Sequence, residues 1–116
     1  MYLAYKNKKA YLATDYYAET DNLAVLLLVE DPESGEIMDD VITVNFAPEV
    51  YPTDEHCAFI DVNNMGEDIC QWLVDNRIAY KTAVTVESGM CTYPEYRFSE
   101  LEISKYIYCG GDHDNK

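Results

Sequence analysis

The chain has 116 residues, 48% of them hydrophobic, with 22 acidic against 8 basic residues and a formal net charge of −14. That length suits one domain with its own core, and that apolar fraction excludes wholesale disorder. The balance of charge excludes direct nucleic-acid binding through a basic stripe. The longest apolar run, Leu23–Val29, is far too short to span a membrane.

The charge is unevenly placed. Sixteen of the acids lie between Lys9 and Arg77, and that stretch contains no lysine or arginine. A net charge of about 2–8 is enough to keep a small domain soluble. The excess costs self-repulsion in the compact state, so a cationic partner is expected to compensate for it.

In chain order, residues 2–6 and 10–17 read as a tyrosine-rich hairpin turning at Asn7-Lys8, with Lys6, Lys8 and Lys9 as the early basic spot. Leu23–Val29 is a branched apolar run that reads as a strand buried on both faces. Asp31-Pro32-Glu33-Ser34-Gly35 is a loop, and Val41–Phe46 alternates as the returning strand of a central hairpin. Pro48 and Pro52 break the pattern and predict a loop over 47–56, followed by a strand over 57–62.

Asn64 and Glu67 have capping-box spacing. Ile69, Trp72, Leu73 and Asn76 share one helical face, with Glu67, Asp68, Gln71 and Asp75 outward, so one amphipathic helix is predicted over about 65–77. Tyr80–Val86 and Met90–Phe98 read as strands joined at Ser88-Gly89, with Pro94 marking an edge or a bulge. Ser99 and Glu102 repeat the capping spacing and predict a short closing helix over 99–107. The expected fold is therefore α+β: a mainly antiparallel sheet of five to seven strands with one helix packed on a face. Residues 1–109 form the single domain and 110–116 a flexible tail.

No chemistry of catalysis is spelled out. Cys57, Cys70, Cys91 and Cys109 are too far apart for a zinc or redox pair and are expected to be reduced thiols in a cytoplasmic protein. Lysines and acids interrupt any early apolar run, so no signal peptide is expected. Asp61, Asn63 and Gly66 match part of a calcium loop, but Met65 and Trp72 stand where oxygen ligands are required. His56 and His113 have no nucleophile or second nitrogen donor at motif spacing. Neither a cofactor nor a metal is expected.

The candidate binding residues are acidic and aromatic. Glu30, Asp31, Glu33, Glu36, Asp39 and Asp40 crowd the tip of the central hairpin, and Asp54, Glu55, Glu67, Asp68 and Asp75 add to them. Same-face residues of a strand repeat every ~6.6–6.8 Å, about two phosphate steps of duplex DNA. A carboxylate-studded hairpin can thus imitate a phosphate backbone, and the partner expected is a basic protein surface, such as a nucleic-acid-binding protein or nuclease. The alternative is an interaction module or homodimer working through Tyr93-Pro94-Glu95-Tyr96-Arg97-Phe98, where Tyr93, Tyr96 and Arg97 have hot-spot character.

Phe59-Ile60-Asp61-Val62-Asn63-Asn64 and Ser88-Gly89-Met90-Cys91-Thr92-Tyr93-Pro94-Glu95-Tyr96-Arg97-Phe98 resemble a family of small acidic proteins defined as a domain of unknown function, carried on mobile elements of Gram-positive gut bacteria. The resemblance spans about 41–98. It departs at Met65-Gly66-Glu67, where the family pattern has Pro-Trp after the Asn pair. It implies a cytoplasmic accessory protein of mobile DNA, a setting in which small acidic proteins inhibit restriction or CRISPR nucleases.

Overall fold

The computed structural model describes residues 1–18, 20–46 and 54–108. Most of the loop expected over 47–56, and the tail expected over 110–116, fall outside those residues. The described strands are β1 (Leu3–Tyr5), β2 (Lys8–Tyr16), β3 (Leu23–Glu30), β4 (Ile37–Val41), β5 (Thr43–Val44), β6 (Cys57–Ile60), β7 (Ala79–Ser88) and β8 (Cys91–Phe98). Between and after them lie α1 (Val62–Met65), α2 (Asp68–Asp75), α3 (Glu100–Ile103) and a 3-10 turn, Ser104–Tyr106.

The strands form two four-stranded antiparallel sheets, ordered β1-β2-β3-β4 and β5-β6-β8-β7. This corrects the expectation of one sheet covered by one helix. The cause lies at Ile42. The run over 41–46 alternates well enough for a single strand, but it changes sheets there. Ile42 N–H donates to Val25 O at 2.9 Å in the first sheet, and Ile42 O accepts from Asp61 N–H at 2.9 Å beside the second. Thr43 Oγ1 accepts from Val25 N–H at 3.2 Å and completes the corner.

The helix predicted over about 65–77 is α2 alone, over Asp68–Asp75, and a separate helical turn, α1, precedes it over Val62–Met65. Asp61, not Asn64, caps α1, its Oδ1 accepting from Asn64 N–H at 3.3 Å. Gly66 then takes φ +86°, and a Cβ there would lie 2.9 Å from Asp68 Oδ1. Only glycine accepts that conformation cheaply, so α1 ends there, before α2. Ser99, by contrast, caps α3 as its spacing suggests, accepting from Glu102 N–H at 3.2 Å.

Turn chemistry fixes the hairpins. Lys6 (φ 50°) and Asn7 (φ 68°) form the two-residue loop between β1 and β2, one position before the turn expected from sequence. Gly89, at φ 63°, opens the two-residue loop between β7 and β8. Pro94 lies in β8, a central strand, opposite Thr85 where β7 bulges. The bulge tolerates the missing N–H, so the bulge reading of Pro94 holds and the edge reading does not.

One core joins everything. Leu3, Ala10, Leu12, Leu23, Val25 and Leu27 from the first sheet meet Ala58, Ile60, Ala79, Tyr96 and Phe98 from the second, with Ile69 and Leu73 of α2, Ile78 and Ile103. Trp72 ties α2 to β1: its Nε1–H donates to Ala4 O at 2.7 Å, and its ring lies 5.1 Å from that of Tyr5. On the other side of the second sheet, Phe46 stands 5.5 Å from Phe59 and 5.6 Å from Tyr93, a small aromatic cluster of its own.

Ile42 is fully buried at the corner. Ile42→Ala removes apolar contact where neither sheet can collapse without disturbing the other. Urea unfolding followed by Trp72 fluorescence is expected to show a loss of about 2–5 kcal/mol.

Candidate partner-binding site

The six acids of 30–40 do not form one acidic tip. β2 runs antiparallel to β3 with Lys9 opposite Glu30, which brings the β1–β2 turn to the same end of the sheet as the β3–β4 loop. Lys6, Lys8 and Lys9 therefore lie beside Glu30, Asp31, Glu33 and Glu36, and this end is close to neutral. Asn7, Lys8, Lys9, Glu30 and Pro32 line a pocket of about 280 Å³ between the two loops. Asp31 serves the loop itself, accepting from Glu33 N–H at 3.1 Å and Ser34 Oγ–H at 3.0 Å. Those bonds, with Lys8 nearby, hold its carboxyl below the usual carboxylate range.

Asp39 and Asp40 are different. They sit in β4, at the edge of the first sheet, exposed, among the also exposed Met38 (68%) and Val41 (44%). Asp39 is opposite Leu28 and Asp40 opposite Leu27. Consecutive strand residues alternate faces, so the two carboxylates project to opposite sides of the sheet. β4 thus carries no same-face ladder of acids.

The outer face of this sheet, which also carries Asp39, is apolar and aromatic at its centre. Tyr11 pairs with Leu28, Ala13 with Leu26, and Leu26 with Val41, which places them together with Ile37 on the face that points away from the core. The parallel bridge from Leu12 to Ile107 brings Tyr108 onto it, 4.9 Å from Tyr11, and Tyr2 stands 6.4 Å from Tyr11. Lys9 Nζ covers the Tyr2 ring at 4.9 Å. Burial and Glu30 push the Tyr11 phenol above its ordinary pKa. Sequence reading missed this face. The available signal was that β3 is apolar at both alternating sets of positions, which reads as burial on two sides. In the folded chain Leu26 and Leu28 are only half-buried.

The remaining candidates are scattered. Asp54 pairs with Arg97 at 3.1 Å, and that guanidinium holds the Asp54 carboxyl below its usual range. Glu55 and Glu100 flank His56, at 3.3 and 3.4 Å from its two ring nitrogens. Glu67, Asp68 and Asp75 are exposed on and around α2, where Asp75 accepts from Gln71 at 2.8 Å. Tyr93 is half-buried against Phe46. Tyr96 is only 6% exposed and belongs to the core, so it offers no contact surface. Glu95, also buried, accepts from Thr82 Oγ1 at 2.6 Å.

Among the described residues no three His, Cys, Asp or Glu side chains converge as a metal site would need, and Cys57, Cys70 and Cys91 are free thiols. No helix of these residues is long and apolar enough to cross a membrane. The model of DUF4313, a domain of unknown function, matches residues 11–114, so the chain belongs to that family. No curated protein and no solved structure matches it.

Tyr96 yields a pH prediction. Burial, then its hydrogen bond with Cys70, push the phenol from 10.0 up to about 12. An unfolded tyrosine ionises near ~10, so above that pH the folded state keeps a proton that the unfolded state has lost. Its contribution is complete below pH ~10 and is lost as pH rises through the folded value. Tyr96→Phe is expected to lose less stability than wild type between neutral and strongly alkaline pH, measured by urea midpoints.

Proposed function

We propose that this chain is an acidic, non-catalytic binding protein whose partner is a cationic protein surface, engaged through the first sheet. The observation that carries this reading is the exposed edge strand β4, where Asp39 and Asp40 stand among exposed apolar side chains. Unlike the acids of the hairpin loop, they have no lysine from the β1–β2 turn beside them. Carboxylates on such an edge steer and orient a basic partner, and the apolar residues around them supply desolvated contact.

A nucleic-acid-binding protein or a defence nuclease is one partner of this class. The setting we propose, an accessory gene on a mobile element of Gram-positive gut bacteria, rests on the resemblance carried by residues 59–64 and 88–98. The geometry favours a protein segment over a phosphate-like ladder, because Asp39 and Asp40 face opposite ways. A second reading, an interaction module with salt-insensitive binding, is favoured by Tyr2, Tyr11 and Tyr108 on the outer face.

The test is capture of partners from a host lysate at low salt, with elution by a salt gradient. Asp39→Lys with Asp40→Lys is expected to weaken capture by about tenfold or more. Glu33→Lys with Glu36→Lys, at the lysine-balanced end, should change it much less. A partner whose elution ignores salt and both double variants would overturn the cationic-partner reading in favour of the second.

A further inference from the structure

We infer that β4 accepts a fifth strand for its sheet, an extended segment of the partner with two adjacent basic residues flanked by apolar ones. This rests on the cationic-partner reading and states how such a partner docks.

Of the four edge strands among the described residues, β1, β5 and β7 are short or interrupted, and the part of β2 that β1 leaves unpaired beyond Ala10 is bridged by Ile107 at Leu12. β1 is three residues long, and its Ala4 carbonyl is taken by Trp72. β5 has two residues. β7 is long, but its register shifts between Lys81 and Thr85, so that Thr82, Ala83 and Val84 stand opposite the single residue Glu95. Bulges and short strands are the usual protection of sheet edges. β4 has five paired residues without a register shift.

The hydrogen-bond alternation shows what β4 presents. Asp31 N–H donates to Glu36 O at one end of the β3–β4 pair, and Ile42 N–H donates to Val25 O at the other. In an antiparallel ladder every second pair exchanges bonds, so Met38 and Asp40 are bonded to β3. The N–H and C=O groups of Ile37, Asp39 and Val41 therefore point outward, ready for another strand.

The side chains select that strand. A second copy is disfavoured: fully overlapped pairing of β4 with itself, parallel or antiparallel, sets Asp39 against Asp39, and directly opposed like charges destabilise a sheet. An antiparallel guest would meet Val41, Asp40, Asp39, Met38 and Ile37 in turn. Its complement reads apolar, basic, basic, apolar, apolar. One basic residue meets Asp39 on the outer face and the next meets Asp40 on the inner face. Main-chain bonds then give affinity and the charge pair gives specificity.

The experiment uses the full chain and a synthetic peptide with that five-residue pattern at its centre, so that all changes fall in the peptide. Binding is followed by NMR, with amide exchange read at Ile37, Asp39 and Val41. Binding should slow exchange at those three amides by about tenfold or more, and replacing both basic residues by Glu should weaken binding at least about tenfold. A peptide with proline opposite Asp39 should also bind more weakly, because it lacks the N–H that would donate to Asp39 O.

If the peptide binds with salt dependence but the three amides stay unprotected, strand addition is overturned while the cationic-partner reading survives. If the peptide fails to bind, and Asp39→Lys with Asp40→Lys leaves lysate capture intact, both fall. If the peptide fails and Asp39→Asn with Asp40→Asn makes the protein self-associate, the two acids serve only to guard the edge, and strand addition is overturned.

Discussion

Ile42 spends its two backbone groups on two different sheets. Its N–H closes the last bond of β4 onto Val25, and its carbonyl accepts from Asp61 at the entrance to α1. A buried backbone group without a partner costs about as much as a lost hydrogen bond, so the chain cannot slip here without exposing one sheet or the other. Much of the architecture follows from that corner. Because the chain departs from the first sheet at residue 42, β4 ends there and stays at the edge. Because it enters the second sheet at once, β5 pairs with β6, and the two inner faces close over one core.

The charge shows the same dependence on folding. Along the chain the acids of 10–76 meet no positive residue, which suggests a uniform negative surface. In three dimensions the antiparallel pairing of β2 with β3 returns three lysines to the most acidic loop. Arg97 reaches Asp54 from 43 residues away, and Lys105 pairs with Glu102 within the C-terminal helical turns. Exposed pairs of this kind contribute little to stability, but they redraw the surface potential. Exposed acids remain on the β4 edge and around α2.

Local chemistry was largely legible in the sequence. Alternation marked most strands, Ser99 marked the start of α3, and Pro94 marked a bulge. What was not legible depends on tertiary geometry. Residues 41–46 alternate whether or not the chain turns a corner, so one strand was expected where two sheets share the segment. The face containing Ile69, Trp72 and Leu73 was correct, but the helix starts only at Asp68, after Gly66 ends a separate turn that Asp61 and not Asn64 caps. Tyr96 looked like a hot spot because tyrosine suits both surfaces and cores, and only the pairing of Ala58 with Tyr96 shows that it faces inward. Of the proposed contact surface, Asp39 and Asp40 were visible as acids. Tyr2, Tyr11 and Tyr108 became a cluster only once the bridge from Leu12 to Ile107 had joined the two ends of the domain.

The bond from Trp72 to Ala4 spans 68 positions of sequence, and it bears on how the protein is made. The first sheet is complete in strands once residue 41 has been synthesised, but the residues that cover Leu3, Leu12 and Leu27 come from α2, the second sheet and the segment around Ile103. For much of synthesis the nascent chain is a half-sandwich with an open apolar face, the kind of intermediate that aggregates. The lysine-free run is made in the same interval. Its accumulating negative charge repels neighbouring nascent copies during that interval.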